Sequence, residues 1–285
     1  MKELVIISGK GGTGKTSITA SFAALAGSAV MADCDVDAAD LHLVLDPTIQ
    51  TGKTFTSGHV AEIRGADCTQ CGLCETVCRF DAIHGYRVDP LACEGCGACV
   101  EFCPAQAIDF PEQDCGEWYV SATRHGQMVH ARMHAGAENS GKLVSLVRQE
   151  ARRIAEKQNS NFLLVDGPPG IGCPVIASVT GADAVLVVSE PTLSGEHDLG
   201  RVLELTNHFG IPAMVCINKC DINKIMAERI ENLAQSMGAT TAGRIPYDSA
   251  VTAAQVNART LVEESDGRAA RAVRQAWSTV CSTLR

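Results

Sequence analysis

The sequence predicts an α/β fold with a mostly parallel central sheet, helices on both faces, and a small cysteine-rich domain that interrupts the chain. Three observations lead to this prediction. Five apolar segments lack polar alternation, which is typical of parallel strands buried on both faces. Segments with helical periodicity alternate with them along the chain. Eight of the fourteen cysteines lie between Cys68 and Cys103, where helical periodicity is absent.

The predicted strands and helices follow one another in an order typical of α/β proteins. We expect strands at residues 4–7, 29–32, 162–165, 184–188 and 213–217. We expect helices at residues 15–25, 141–158, 196–209, 224–237 and 268–284. Because an insertion is tolerated in an exposed loop whose ends are close together, we predict one discontinuous domain, 1–57 and 112–285, that carries residues 58–111 as an insert.

The composition excludes several classes of protein. The 285 residues include 33 Asp and Glu against 24 Lys and Arg, a formal net charge of −9, so no basic field favours a nucleic-acid partner. Apolar runs stay below the roughly 18 to 20 residues that span a bilayer, and the N-terminus lacks a signal-peptide pattern. We therefore expect a cytoplasmic protein without a membrane anchor. In a reducing compartment, so many cysteines are more typical of ligands for metals or clusters than of disulfides.

Residues 9–16, GKGGTGKT, follow the first apolar segment and fit the phosphate-loop pattern G-x-x-x-x-G-K-[ST]. Glycines let backbone N–H groups surround phosphate oxygens, and the following helix adds a favourable dipole. Lys15 would contact the β- and γ-phosphates, and the Thr16 hydroxyl would ligate Mg²⁺. The alternative is a glycine-rich turn that matches by chance. The residues expected around the phosphates are Gly11, Gly12, Thr13, Gly14, Lys15 and Thr16.

A second lysine, Lys10, stands early in this loop. The motif resembles that of the deviant Walker A P-loop ATPases of the MinD, Mrp and nitrogenase-reductase type, and the resemblance covers most of the chain outside residues 58–111. It implies a P-loop NTPase fold and a dimer that hydrolyses ATP, slowly alone and under the control of a partner. It also implies that Lys10 reaches the phosphates bound by the partner chain. The alternative is a solvated lysine that neutralises the loop.

Carboxylates after two strands extend this resemblance. Asp33 and Asp35 match the Asp-x-Asp of the family, which implies that Asp35 orients or activates the attacking water and that Asp33 acts on the Mg²⁺ shell. Asp37 and Asp40 are equally acidic neighbours, for which we favour a role as helix N-caps. Asp166 ends an apolar strand and resembles the Walker B carboxylate that holds Mg²⁺ directly or through water.

The purine base is expected near two later segments. Asn218, in Ile217-Asn218-Lys219, resembles the residue that recognises the base. Pro246 lies in a segment that resembles the loop forming the wall of the base pocket. Both signals are weak, because asparagine and proline also simply end strands.

The insert contains an internal repeat of 25 residues. Each copy has the spacing C-x₂-C-x₂-C-x₃-C, which resembles the cluster-binding run of bacterial ferredoxins. In that arrangement the fourth cysteine of each run binds the other cluster, which predicts two [4Fe–4S] clusters. Zinc knuckles and redox disulfides are the alternatives. The predicted ligands are Cys68, Cys71, Cys74 and Cys103 for cluster I, and Cys93, Cys96, Cys99 and Cys78 for cluster II.

Cys173 lies seven residues after Asp166. Nitrogenase-type reductases carry a ligand of a bridging cluster at this offset, so the resemblance makes Cys173 a candidate extra ligand. Cys115 is the only cysteine between Cys103 and Cys173. The alternative, which we favour, is a small buried apolar cysteine in a tight turn.

Two functions agree with the sequence. The first is a dimeric Mg-ATP-hydrolysing protein that couples nucleotide state to electron transfer through two [4Fe–4S] clusters. The second is an Mrp-type ATPase that assembles or carries an iron–sulfur or other metallocofactor. Complete internal ligand sets favour the first function, whereas the resemblance to Mrp favours the second. Both imply a redox or metallocofactor partner protein, and a dimer with an identical or a related chain.

Overall fold

The computed structural model describes residues 1–134 and 140–284. The strands are β1 (Lys2–Ser8), β2 (Ala29–Asp33), β3 (Thr48–His59), β4 (Glu62–Ile63), β5 (Ile83–His84), β6 (Arg87–Val88), β7 (Ile108–Asp109), β8 (Glu112–Thr123), β9 (Gly126–Met133), β10 (Phe162–Pro169), β11 (Ala184–Ser189), β12 (Ala213–Asn218) and β13 (Thr240–Ile245). The helices are α1 (Lys15–Ala26), α2 (Leu41–Leu45), α3 (Leu73–Val77), α4 (Ala98–Glu101), α5 (Ser140–Lys157), α6 (Cys173–Val179), α7 (Leu193–His208), α8 (Lys224–Ser236), α9 (Ala250–Val256), α10 (Leu261–Glu264) and α11 (Arg268–Thr283).

The chain divides into two compact units. The first comprises Met1–Lys53, Trp118–Arg132 and the chain from Ser140 onward. The second comprises Thr54–Glu117 and the segment that begins at Met133. The second unit is thus somewhat longer than the predicted insert of residues 58–111.

Most of a nine-stranded sheet lies in the first unit, in the order β13-β12-β11-β1-β10-β2-β9-β8-β3; parts of β3 and β8 belong to the second unit. The seven strands from β13 to β9 run parallel. Leu4, Val5, Ile6 and Ile7 of β1 are all 0% exposed, although successive side chains of a strand point to opposite faces. Both faces of the central strand are therefore covered. The prediction of a large, mostly parallel sheet with helices is confirmed.

All five predicted strands and all five predicted helices are present, with small shifts in their ends. Helix α7 begins at Leu193 rather than at residue 196. The hydroxyl of Thr192 accepts the backbone N–H of Gly195 at 3.0 Å and caps the helix earlier than its apolar pattern indicated.

Four strands of the large sheet were not predicted, namely β3, β8, β9 and β13. Strand β3 lies at the edge of the sheet, and residues 48–54 are exposed, so it has no apolar run to identify it. Strands β8 and β9 are joined by only Arg124 and His125, which makes them an antiparallel hairpin. Arg124 anchors this turn, because its guanidinium donates to Glu263 at 2.8 and 2.9 Å.

Aromatic packing joins α1 and α11 to the sheet. Phe22 of α1 is fully buried, and its ring centroid lies 4.9 Å from that of Trp277 in α11. Trp277 also meets Phe162 of β10 edge-on at 5.0 Å. Trp277 is thus a core residue. Within the described residues, no helix combines the length and apolar character needed to cross a membrane.

The second unit contains two short antiparallel ribbons, β4–β7 and β5–β6, and the helices α3 and α4. The two helices occupy equivalent places in the 25-residue repeat. Each is preceded by a glycine in the left-handed region, Gly72 at φ 77° and Gly97 at φ 73°. The buried apolar cluster described in the second unit is small and consists of Ala61, Cys74, Ile83, Cys99 and Ile108.

Gly14, which precedes α1, provides a first prediction. Its φ is +89°, and an added Cβ would lie 2.3 Å from Nδ2 of Asn218, so Gly14→Ala is expected to lower the free energy of unfolding by about 1–2 kcal/mol. Gly11→Ala is the matched control, because its φ is not positive and no atom lies within 4 Å of the added Cβ. Urea unfolding of both variants measures the difference. Equal stability of the two variants would contradict the strain at Gly14.

His130 of β9 provides a second prediction. It is buried, and its Nε2 lies 2.9 Å from the Ser121 hydroxyl. Burial, with a smaller effect of His42, lowers the pKa of His130 to about 4. Since an unfolded histidine titrates near 6.5, the unfolded chain binds this proton first as the pH falls. Stability is therefore complete above about pH 6.5 and decreases by about 2 kcal/mol between pH 7 and pH 5.

Urea unfolding at both pH values tests this effect. His130→Gln is expected to remove this part of the pH dependence, while His134→Gln, at an exposed histidine, leaves it in place. An unchanged pH dependence in His130→Gln would show that other groups cause it.

Candidate functional site

The loop between β1 and α1 lies at the carboxyl edge of the sheet, where several predicted residues meet. Asp33 ends β2 and Asp166 lies in β10, and these two residues are paired in register. Asn218 ends β12. Because neighbouring parallel strands end at one edge, side chains that are far apart in the sequence surround the same loop.

Lys15 is the centre of this cluster. Its Nζ lies 3.2 Å from Asp166 Oδ1 and 3.3 Å from Asp35 Oδ2, and the residue is 6% exposed. Burial alone would lower the pKa of Lys15, but the carboxylates of Asp166, Asp35 and Asp33 outweigh burial and raise it. The amine therefore stays charged at neutral pH.

Asp166 and Thr16 lie side by side. The Thr16 hydroxyl donates to Asp166 Oδ2 at 2.7 Å, and the Thr19 hydroxyl donates to Oδ1 at 3.1 Å. Adjacent oxygen ligands of octahedral Mg²⁺, each at about 2.1 Å, are about 3 Å apart. The spacing of Thr16 and Asp166 fits two such positions.

Asp33 is completely buried and faces backbone rather than open space. Its Oδ1 accepts the N–H of Asp35 at 3.3 Å, and its Oδ2 accepts the N–H of Leu41 at 3.1 Å. Burial and the neighbouring Asp166 raise its pKa well above the usual value. Asp33 thus holds the turn that carries Asp35.

Asp35 is partly buried, and burial raises its pKa. Asp37 and Asp40 are exposed. Asp40 occupies the N-cap position of α2, but its side chain makes no capping hydrogen bond, so only part of the expected N-cap role is present.

Lys10 contacts the loop that leads into α7. Its Nζ lies 3.3 Å from each of three oxygens, in Glu190, Thr192 and Ser194. Glu190 also pairs with Lys219. Lys10 is thus held within its own chain, and one carboxylate serves two lysines.

A cavity of about 770 Å³, its open mouth included, adjoins the loop. Asn218 Nδ2 donates to the carbonyl of Thr13 at 2.8 Å, and Lys219 Nζ donates to that of Gly12 at 3.1 Å. The buried hydroxyl of Thr13 has no hydrogen-bond partner among the described residues. Because buried polar groups are normally hydrogen-bonded, this hydroxyl is a candidate to bind a ligand. The polar and loop residues that line the cavity include Gly12, Gly14, Ser17, Asn218, Lys219, Pro246, Asp248 and Gln255.

Lys219 and Glu190 were not singled out from the sequence. Lys219 directly follows Asn218, so the Asn-Lys pair after a strand could have indicated an anchor for the loop. Glu190 follows β11 without a local motif. Only the fold brings it to Lys10 and Lys219.

The second unit brings the eight clustered cysteines together around two cavities. One cavity, of about 320 Å³ with its mouth, is lined by three cysteines of the first run and one of the second. The other, of about 330 Å³, is lined by three cysteines of the second run and one of the first. The first set is Cys68, Cys71, Cys74 and Cys103, and the second set is Cys78, Cys93, Cys96 and Cys99.

The cysteines around each cavity do not have the geometry of ligands of a single ion. In the described parts of the chain, no three His, Cys, Asp or Glu side chains converge on one metal position. A cubane cluster instead binds each thiolate to a different iron, so its ligands surround a cavity. Backbone N–H groups already point at two sulfurs, from Ala82 to Cys78 at 3.4 Å and from Ala107 to Cys103 at 3.3 Å. Such hydrogen bonds stabilise thiolates.

The structure corrects one expectation about the remaining cysteines. Cys173 is exposed as the first residue of α6, so the interpretation as a buried cysteine in a tight turn was wrong. Cys115 is buried in the second unit, where its thiol donates to the carbonyl of Ser57 at 3.0 Å.

Known proteins resemble this chain in sequence or in fold. The protein MJ0578 of Methanocaldococcus jannaschii is 35% identical over 226 residues, which are 78% of this chain and 80% of that protein. The MinD structure with Mg-ADP from Pyrococcus horikoshii has a TM-score of 0.61 at 16% identity, covering 100% of this chain and 98% of its own. The MinC:MinD complex of Aquifex aeolicus has a TM-score of 0.59 at 18% identity, covering 99% and 96%. The family described as the CobQ/CobB/MinD/ParA nucleotide binding domain matches residues 4–261, and the chain therefore belongs to this family of P-loop nucleotide-binding proteins.

Proposed function

We propose that the chain is a dimeric Mg-ATP-hydrolysing protein that couples its nucleotide state to electron transfer through two [4Fe–4S] clusters in the second unit. The observation that carries this proposal is the division of the eight cysteines between two cavities, three from one run and one from the other in each. Cysteines placed by chance would not be expected to divide in this reciprocal way, with the last cysteine of each run lining the cavity formed by the other run.

The proposed nucleotide site consists of the side chains around Lys15. The phosphates would take the place of Asp35 and Asp166 as partners of the buried ammonium. Thr16 and Asp166 would hold Mg²⁺, which neutralises the phosphates. The base would enter the cavity beside Asn218 and Pro246.

Hydrolysis requires a water and additional positive charge. Asp35 lies beside Lys15 and is partly solvated, and it would orient the attacking water and accept its proton. Lys10 would leave Glu190 to reach the phosphates of the partner chain and stabilise the charge that develops there. Glu190 would keep Lys219 as its counter-ion.

The second unit would hold the clusters through cysteines. The clusters would supply one-electron transfer. The chain's own contribution is to bind them through eight thiolates, to direct backbone N–H groups at Cys78 and Cys103, and to leave Cys71 and Cys96 exposed toward a partner.

A second function is an Mrp-type ATPase that assembles or carries a metallocofactor. The exposure of Cys173 at the start of α6 favours it, because a transferable cluster needs an accessible ligand. In that case the nucleotide would control release of a cofactor rather than movement of electrons.

The exchange of fourth ligands gives a third prediction. After anaerobic loading with iron and sulfide, Cys68→Ala and Cys103→Ala are expected to lose the same EPR signal. Cys93→Ala and Cys78→Ala are expected to lose the other signal, because each pair lines one cavity. Iron should fall from about eight to about four per chain in each variant.

Cys281→Ala is the control for this series, since Cys281 lies in α11 and should leave both signals intact. If Cys103→Ala and Cys93→Ala lose the same signal instead, each run holds its own cluster. Bound zinc in place of iron would contradict the iron–sulfur assignment.

Coupling between nucleotide and clusters gives a fourth prediction. In a potentiometric EPR titration, a non-hydrolysable Mg-ATP analogue is expected to shift the cluster signals, and linkage requires that cluster oxidation state alters nucleotide affinity equally. Lys15→Ala should abolish the shift. A shift that survives in Lys15→Ala would disprove coupling through this site, and unshifted signals in the parent chain would favour the assembly function.

A further inference from the structure

The negative charge of the protein is concentrated in its second unit. Thr54–Glu117 contains eleven Asp and Glu, three Arg and no Lys, a net charge of −8 within a chain of net charge −9. Ten of these eleven carboxylates are exposed. The rest of the chain is nearly neutral, so the second unit dominates any long-range attraction of a partner.

Each cavity opens beside one exposed cysteine and one exposed apolar side chain. Cys71 and Leu73 border the first cavity, and Cys96 and Phe80 border the second. Leu73 is 42% exposed and Phe80 is 45% exposed. An apolar side chain beside an exposed ligand provides a small contact from which a partner would exclude water.

The carboxylates near the two mouths differ in their partners. Near the first cavity, Asp67 pairs with Arg64 at 2.7 Å, and Glu75 accepts the N–H of Tyr86 at 3.0 Å. At the second cavity, Glu94 lines the mouth and has no hydrogen bond or ion pair within the described residues. The side chain of Asp81, next to Phe80, is 91% exposed, and among the described residues it pairs with His84 alone, at 3.7 Å.

Asp89 belongs to the same surface. Its N–H donates to the carbonyl of Ala82 at 2.7 Å, which places it beside Asp81. We call Phe80, Asp81, Asp89 and Glu94 the acidic face. Arg79, which precedes Phe80, is the adjacent cation along the chain.

The geometry points to the acidic face as the docking surface for an electropositive redox protein that exchanges electrons at the second cavity. This inference rests on the proposed function and adds the partner's chemistry and the place of contact. Carboxylates around an apolar centre match a partner whose Lys and Arg surround an exposed cofactor edge. The same charge repels nucleic acid and anionic lipid surfaces.

Cytochrome c, a small basic haem protein, is a suitable probe. Each cytochrome accepts one electron, which reduces ferric haem to ferrous and leaves the chain oxidised by one electron. We would measure its association with the oxidised, iron-loaded chain by surface plasmon resonance, and its reduction by the reduced chain in a stopped-flow instrument.

Asp81→Asn/Glu94→Gln is expected to slow association about 3- to 10-fold at low ionic strength, and salt should remove most of the difference. Glu62→Gln/Glu112→Gln is the matched control, because it removes the same charge elsewhere on the unit. Glu62 lies between Ala61 and Ile63, which face the cavities, so its side chain points to the other side of β4. The control should change the rate less than about 2-fold.

Equal losses in the two double variants would show that only net charge matters, and would overturn the inference. Tighter binding of an acidic probe, flavodoxin, or self-association through the acidic face detected by sedimentation would also overturn it. Iron and sulfide analysis of the same samples separates the two proposals. A chain that binds no iron refutes the proposed function, whereas a loaded chain with equal losses refutes only this docking surface.

Discussion

The nucleotide site depends on the ion pairs that the buried ammonium of Lys15 makes with Asp35 and Asp166. Asp33, Asp35 and Asp166 converge at one sheet edge because parallel strands end there, and burial raises the pKa of Asp33 and Asp35. One lysine counters three carboxylates. On the proposed function, a triphosphate would add further negative charge beside these carboxylates, which would favour binding together with Mg²⁺ and a lysine from a partner chain. This imbalance of charge is thus one physical reason for the proposed dimer and the proposed metal.

On the proposed function, Lys10 would have to leave Glu190, and the second ion pair of Glu190, with Lys219, would make that step less costly. Lys219 Nζ contacts Glu190 and the carbonyl of Gly12, and Lys10 Nζ contacts Glu190, Thr192 and Ser194; both lysine side chains are 31% exposed. If Lys10 moved away, Glu190 would keep Lys219 as its counter-ion, and its carboxylate would not be left without a partner.

The sequence identified the central strands, the phosphate loop and the grouping of cysteines, because each depends on local pattern or short spacing. Residues 4–7 are apolar without interruption, and GKGGTGKT is specific over eight positions. The polar edge strand β3 and the contact of Glu190 with Lys10 were missed, since each depends on long-range pairing that leaves no local signal. The exposure of Cys173 was mispredicted for a similar reason, because the residues next to it in the sequence do not determine how α6 packs.

Cys78 and Cys103, which each line the cavity formed by the other run, connect the two halves of the internal repeat in the second unit. Each cavity draws on both runs, so neither half could hold a cluster alone. Among the described residues, the buried apolar cluster has five members, with partly buried side chains packed against them, and two of the five are the cysteines Cys74 and Cys99. A core of this size contributes little burial energy, and small domains of this kind commonly depend on metal for stability. On the proposed function, the clusters would therefore join the two runs as well as carry electrons, and loss of one cluster would loosen the acidic face that a partner recognises.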